Sequence, residues 1–390
     1  MKALRFSRKP AKFLAAGVAG RLVAGKGAAV GPLSLVDLDE PALPASDWVR
    51  LRPRLAGICG SDLATIDGHA SRYFEPIVSF PFVPGHEVVG ELDDGTRAVL
   101  IPVLSCVTRG IDPPCAACAA GRTNHCGRIA FGHLEPGLQT GFCADTGGGW
   151  SQELVAHPSQ LLPVPNALSD EAAVMIEPTA CALHGARMVA AGGPRRQVAV
   201  IGAGTLGLLT IAALRAEADV ETLVATAKYP HQRELARRLG ADALSAPSEL
   251  DRKVRAMTGA WVLDDGQLTD GVDLVVDCVG SEASLSQALR VVAPGGEVVV
   301  VGMPGHTTLD LTSLWHRETA IRGCYAYTRE DFAGAVDLVA EAGLEQLVSA
   351  TYPLSRYREA IDHAANAGAR GAVKIAFDLR KKAASQKDRR

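Results

Sequence analysis

A chain of 390 residues, 47 % hydrophobic and 21 % charged, is long enough for two or three globular domains with sizeable cores. Its net charge of −3 leaves no basic surplus for nucleic acid or an anionic membrane, so neither is an expected partner. Nine cysteines, an odd number with three at metal-ligand spacing, argue against a disulfide framework and for thiolates in a reducing compartment, the cytoplasm.

The first patterned stretch is Phe13-Leu14-Ala15-Ala16-Gly17-Val18. It follows Lys and Arg residues and imitates an export signal, but the apolar run is weak and Arg21 closes it. From there to about 165, short apolar runs at 48–51, 88–92 and 98–101 alternate with Pro and Gly, which predicts an irregular β-rich domain. After Pro163-Val164-Pro165, the residues Ser169-Asp170-Glu171 predict a helix start with Ser169 as N-cap.

The character changes near 195. A buried strand over 197–201 runs through a Gly-rich turn into a helix from 206 to about 215. A strand at 223–226 and a helix at 231–239, stopped by Gly240, follow. Further strands are predicted at 272–277 and, after Pro294-Gly295-Gly296, at 297–301. Alternating strands and helices predict a doubly wound parallel sheet, an α/β fold. The uncharged run 198–214 is slightly short for a membrane span and carries three glycines, so it reads as buried strand, turn and helix. The expected organisation is a β-rich domain at 1–166, a dinucleotide-binding domain at 167–325, and a return to the first domain at 326–390 that ends in a basic, solvated tail from Lys381.

Gly202-Ala203-Gly204-Thr205-Leu206-Gly207 sits between strand and helix, where a dinucleotide fingerprint must sit. Gly202 permits the tight turn, Gly204 lets the backbone approach a pyrophosphate, and Gly207 lets helix and strand pack. The phosphates would rest on the free N–H groups of the helix start. The second strand ends in Ala225-Thr226-Ala227-Lys228-Tyr229-Pro230-His231, without the acid that holds an NAD ribose. Thr226 can bond a 2′-phosphate and Lys228 can neutralise it, so NADP(H) is favoured over NAD(H).

Two zinc sites are expected. Cys59 and His86 offer a thiolate and an imidazole, with Glu177 and Glu87 as candidates for a third ligand and Asp62 placed to orient His86. Asp112, Cys115, Cys118 and Cys126 have the spacing of a closed structural site. Cys106 is the alternative to Asp112, softer but further off.

These segments resemble the zinc-containing medium-chain dehydrogenase/reductase family of alcohol and polyol dehydrogenases. Gly85-His86-Glu87 with Gly90 resembles its zinc signature, and Gly57-Ile58-Cys59-Gly60-Ser61-Asp62 its first-ligand segment. The loop from Asp112 to Cys126 resembles its structural-zinc lobe, and Ile176-Glu177-Pro178 its polyol- and glucose-dehydrogenase branches. The resemblance spans nearly the whole chain. It implies a GroES-like catalytic domain split around a Rossmann domain, an active site between them, and a homodimer or homotetramer. Carried over by position, Cys59, His86 and Glu177 are the catalytic zinc set, one of two zinc sites per chain. Glu87 is a nearby or exchangeable ligand, and Ser61 handles the substrate proton. Gly202, Gly204, Thr205, Leu206, Gly207, Thr226, Lys228 and Val279 are the expected cofactor contacts. Many members place a relay His where this chain has Ala64, which leaves proton exit to the cofactor ribose, water, His69 or Tyr73.

The expected function is zinc-dependent hydride transfer between NADP(H) and an alcohol, aldehyde or ketone. Alternatives are a polyol or sugar dehydrogenase using NAD(H), suggested by Glu177, and a non-catalytic nucleotide-binding sensor. Tyr73-Phe74, Phe142, Trp150 and Leu314-Trp315 either line an apolar pocket or pack in the core. Sheet-edge association near 298–305 is one route to an oligomer.

Overall fold

The computed structural model describes residues 1–264, 266–303 and 305–380; the basic tail at 381–390 lies outside the described residues. Among the described residues, two large sheets carry the architecture. The first orders its strands Val348–Tyr352, Lys374–Asp378, Val49–Gly57, Val88–Glu91, Arg97–Leu100 and Leu161–Pro163, with Leu154–Ala156 also paired to Val49–Gly57. Pro53 has no N–H to give its neighbour, and the register with Val88–Glu91 shifts between Pro53 and Leu55. The strand beyond that irregularity is buried and leads straight to Cys59.

The second sheet is parallel throughout. Its order is Ala243–Ser245, Val220–Thr226, Arg195–Ile201, Val272–Asp277, Val292–Val300 and Ala320–Gly323. The direction of winding reverses between Arg195–Ile201 and Val272–Asp277, which opens a crevice at the carboxyl ends of those strands. Helices cover both faces, so Val198, Ala199, Val200 and Leu274, Val275, Val276 are all buried; this is why the strands read as continuous apolar runs. The last strand, Ala320–Gly323, is an exposed edge.

A tie of charges joins the two halves. Ser169 caps its helix by accepting the Ala172 N–H at 3.0 Å. The next residue, buried Asp170, accepts from Arg54 and Arg97 of the first sheet, each at 2.9 Å. The helix Arg329–Glu341 packs on Ile176–Ala190, and its Phe332, Leu338 and Val339 join the core around the Rossmann helices. The chain therefore re-enters the first sheet only at Val348–Tyr352, one helix later than the expected boundary at 325.

The stretch that imitated an export signal is a helix, Pro10–Leu22, inserted between the paired strands Lys2–Phe6 and Leu33–Asp37. Proline suits its first turn, where no partner awaits an N–H. Its buried residues are small. A Cβ on Gly20 would stand 2.6 Å from the Asp67 Cβ, so glycine is what lets the helix lie against that segment. Among the described residues no helix is long and apolar enough to cross a membrane.

Candidate active site

A cavity of about 1730 Å³ opens between the two sheets. Its inner end is built by adjacent antiparallel strands. Val49–Gly57 finishes just before Cys59, and Val88–Glu91 begins just after His86 and Glu87, so pairing of these strands brings the three residues together. The Gly57 N–H donates to the Glu87 carbonyl at 2.8 Å and locks the junction. Cys59 is the N-cap of the helix Gly60–Ile66, and Asp62 in the first turn accepts the Cys59 N–H at 3.0 Å. The ligand atoms of Cys59, His86 and Glu87 all lie within 4.8 Å of one another.

Charge in this corner is concentrated and buried. His86 Nδ1 stands 3.6 Å from Asp62 Oδ1. Burial works against an imidazolium here, yet Asp62, Cys59 and Glu177 outweigh it and hold the His86 pKa well above its ordinary value. Asp62 Oδ1 and His86 Nδ1 are buried without hydrogen-bond partners. A thiol, an imidazole and a carboxylate gathered around unpaired polar atoms fit a zinc ion.

Glu177 is placed differently from the expected ligand set. It sits in the first turn of Ile176–Ala190, buried on the lining of the same cavity, and its Oε1 accepts from the Tyr327 hydroxyl at 2.9 Å. The gathered trio contains Glu87 in its stead. The physical reason is that Glu177 arrives on a helix rather than on the strand pair, and one of its oxygens is already held. Burial pushes its carboxyl up to about 7 against the opposing pull of His86.

Two residues of this corner escaped the sequence reading. Lys374, fully buried, pairs its ammonium with the Glu87 carboxylate and donates to the Ile58 carbonyl at 3.3 Å. Tyr327 is buried with its hydroxyl on Glu177. No local motif marks either; a lone Lys inside the apolar strand Lys374–Asp378 was the one available signal. The Glu87 carboxylate also fills the place of a missing side chain, since a Cβ on Gly57 would stand 1.9 Å from Glu87 Oε2. Gly57→Ala is therefore expected to displace Glu87 at a cost of about 1–3 kcal/mol and to weaken metal retention. Zinc content together with thermal melting checks this, and a variant with unaltered zinc and melting temperature would contradict it.

The fingerprint turn has a clear division of labour. Gly202 adopts φ +97°, which side chains disfavour, and a Cβ on Gly207 would meet the Gly202 carbonyl oxygen at 2.0 Å. A Cβ on Gly204 would meet nothing within 4 Å, so this backbone faces open cavity. Gly204, Thr205, Leu206, Gly207 and Val279 line that cavity, and the helix Thr205–Glu217 points its free N–H groups towards it. Thr226 is buried and its hydroxyl accepts the Gly202 N–H at 2.8 Å, so it braces the turn. Lys228 is exposed, with its ammonium 5.4 Å from the Tyr229 ring centre. Neither Thr226 nor Lys228 is on the cavity lining. A further cation, Arg233, stands at the same strand end, its Nε donating to the Ala227 carbonyl at 3.0 Å.

In the loop lobe, the sulfurs of Cys106, Cys115, Cys118 and Cys126 gather within 4.8 Å. Asp112, the favoured fourth ligand from spacing, is exposed and outside the group, and Cys106 takes its place. Buried Arg109 ties the segment after Cys106 to residues 131–137. Its guanidinium donates to the carbonyls of Phe131, Leu134 and Gly137 at 3.1, 3.1 and 2.6 Å, closing the loop over Cys106. Cys106 Sγ lies 3.7 Å from Cys126 Sγ and accepts the Cys115 N–H at 3.3 Å. N–H groups of Cys118 and Gly127 bring the Cys115 thiol down to about 6, favouring a thiolate. Four sulfurs with no open position fit a structural zinc.

Among the other candidates, Ser61, Tyr73, Phe74 and Phe142 line the cavity. His69 is exposed and off the lining, Trp150 is fully buried core, and Trp315 is exposed.

A family model described as the zinc-binding dehydrogenase matches residues 205–341, and one described as the alcohol dehydrogenase GroES-like domain matches 45–166. A relative, L-galactonate-5-dehydrogenase of Escherichia coli K12, is 30 % identical over 335 residues, which cover 82 % of this chain and 88 % of that protein. The chain belongs to the zinc-containing medium-chain dehydrogenase/reductase family. The dehydrogenase is also 29 % identical over 357 residues to L-idonate 5-dehydrogenase of Vitis vinifera, covering 87 % and 90 % of the two chains. Among solved structures, alcohol dehydrogenase TADH of Thermus sp. ATN1 superposes with a TM-score of 0.72 at 25 % identity, covering 97 % of this chain and all (100 %) of that one. A chain of Sinorhizobium meliloti 1021, described as a zinc-binding dehydrogenase and bound to NADP, superposes with a TM-score of 0.68 at 26 % identity, covering 89 % and 95 %. The dehydrogenase is thus an oxidoreductase that moves a hydride between a nicotinamide cofactor and an alcohol or its carbonyl counterpart, with a GroES-like catalytic domain and a Rossmann domain.

Proposed function

We propose that the dehydrogenase holds one catalytic and one structural zinc per chain and prefers NADP(H), interconverting an alcohol with an aldehyde or ketone. The observation that carries this reading is the meeting of Cys59, His86 and Glu87 on the same cavity as the open backbone of Gly204. Cys59, His86 and Glu87 hold the catalytic ion, with Glu177 poised beside them as an exchange ligand. Bound zinc supplies a Lewis acid that polarises the substrate oxygen, and the nicotinamide supplies or takes the hydride. Asp62 orients His86, and Lys374 balances the Glu87 charge. Ser61, half-buried on the lining, takes the hydroxyl proton. With Ala64 in the usual relay position, that proton leaves by water or the cofactor ribose past the exposed rim at Tyr73. Cys106, Cys115, Cys118 and Cys126 hold the structural ion.

The cofactor preference rests on the end of the second Rossmann strand. Lys228 and Arg233 stand there without a carboxylate between them, so a 2′-phosphate meets positive charge. Replacing both by Ala is expected to lower kcat/KM with NADP⁺ by about 10–100-fold and leave NAD⁺ within about threefold. Equal losses with the two cofactors would refute the assignment. The exposed edge Ala320–Gly323 supports a homodimer or homotetramer, and nine unpaired thiols suit a reducing cytoplasm.

A second reading, a polyol or sugar-acid dehydrogenase, is favoured by the names of the two curated relatives. The test for both is steady-state turnover of the zinc-replete enzyme on simple alcohols, ketones and polyols with each nicotinamide. No chelator-sensitive turnover on any of them would end the catalytic proposal.

A further inference from the structure

Phenylalanines on the cavity lining touch in series from the metal corner outward. The Phe142 ring centre is 5.9 Å from that of His86. Phe82 follows at 5.2 Å, Phe6 at a further 5.2 Å, and Phe13 at 6.5 Å. Phe80 fills the angle, 6.3 Å from Phe6 and 5.4 Å from Phe82. All five phenylalanines are on the lining of the cavity that holds Ser61 and the metal trio; Phe13 and Phe80 are half-buried, and Phe6, Phe82 and Phe142 are buried within its wall. The outermost ring, Phe13, comes from the inserted helix Pro10–Leu22, whose other lining residues, Pro10 and Leu14, are also apolar.

A phenyl ring has no atom to pair with a hydroxyl. A polyol drawn along this run would strand its hydroxyl groups, each losing about fivefold or more in binding. An alkyl chain gains up to about fourfold for every methylene taken out of water, and an aryl group gains ring contacts as well. We propose that the substrate carries its reacting hydroxyl or carbonyl on an apolar body, alkyl or aryl, which lies against the apolar wall these rings build, and that Phe13 sets how long a body is accepted. This rests on the dehydrogenase reading above and sets the chain apart from relatives named for galactonate and idonate.

The test is kcat/KM of the zinc-replete enzyme, at saturating nicotinamide, for ethanol, butanol, hexanol, octanol and benzyl alcohol beside sorbitol and L-idonate. Efficiency is expected to climb about threefold to fourfold per methylene up to a plateau, with hexanol at least about a hundredfold above sorbitol. Phe13→Ala, and independently Phe80→Ala, are expected to cut the octanol-to-ethanol ratio by about tenfold. A flat alcohol series, sorbitol or idonate equal to hexanol, or an unchanged ratio in both variants overturns the inference while leaving a dehydrogenase. Absence of turnover on every compound overturns the dehydrogenase reading and the inference with it.

Discussion

Cys59→Ala is expected to bring zinc from about two ions per chain to about one and to lower kcat/KM for alcohol oxidation by about a thousandfold or more. Cys59 supplies the sulfur of the trio and, through its backbone N–H, the anchor for Asp62, which in turn faces His86. The substitution removes only the sulfur. The N–H that Asp62 accepts is retained, so the helix Gly60–Ile66 should keep its start and the protein its fold. Loss of a Lewis acid worth several kcal/mol of transition-state charge stabilisation sets the size of the effect. Elemental analysis paired with kinetics reads it. Unchanged zinc content in a fully loaded variant would remove the catalytic role from Cys59, His86 and Glu87 together.

The second large effect lies in the lobe. Cys106→Ala is expected to release the other zinc and lower Tm by about 10 °C, because metal binding and local folding are one process in such loops. Asp112→Ala is expected to change stability by no more than about 0.5 kcal/mol, since its side chain is exposed and outside the sulfur cluster. The lobe also reaches the catalytic side. Asn124 donates to the Tyr325 carbonyl at 2.9 Å, and His125 lines the cavity. Activity of Cys106→Ala should therefore fall with its stability while catalytic zinc is retained. Zinc content and melting curves for the two variants decide the matter, and the opposite ranking would restore Asp112 as the ligand.

The parallel sheet was legible because its four central strands, Arg195–Ile201, Val220–Thr226, Val272–Asp277 and Val292–Val300, carry buried apolar runs, a purely local signal that the short outer strands Ala243–Ser245 and Ala320–Gly323 lack. The fingerprint was legible for the same reason, as strand, turn and helix are neighbours in sequence. The thiol, imidazole and carboxylate could be picked out by type, but their ranking depended on what lay opposite. The residue types left Glu177 and Glu87 open and the family resemblance favoured Glu177, one of whose oxygens accepts from Tyr327, 150 residues away. Regular spacing favoured Asp112 over Cys106, but the fold of the loop brings Cys106 to the cluster, where its Sγ accepts the Cys115 N–H. The inserted helix Pro10–Leu22 was missed because its buried side is made of Ala16 and Gly20, which leave no hydrophobic period to read.

One pairing has a consequence for how the protein comes into being. The strand Lys374–Asp378 lies directly beside Val49–Gly57, and Lys374 reaches Ile58 across 316 residues of sequence. At roughly 5–20 residues per second, a ribosome needs on the order of 15–60 s to make that intervening chain. For most of that interval, once Glu87 has been made, the nascent protein carries its thiol, imidazole and acid but lacks the ammonium group that pairs with Glu87. Vectorial synthesis thus makes the acid of this corner long before the ammonium that pairs with it, and the strand Lys374–Asp378 completes the pair last.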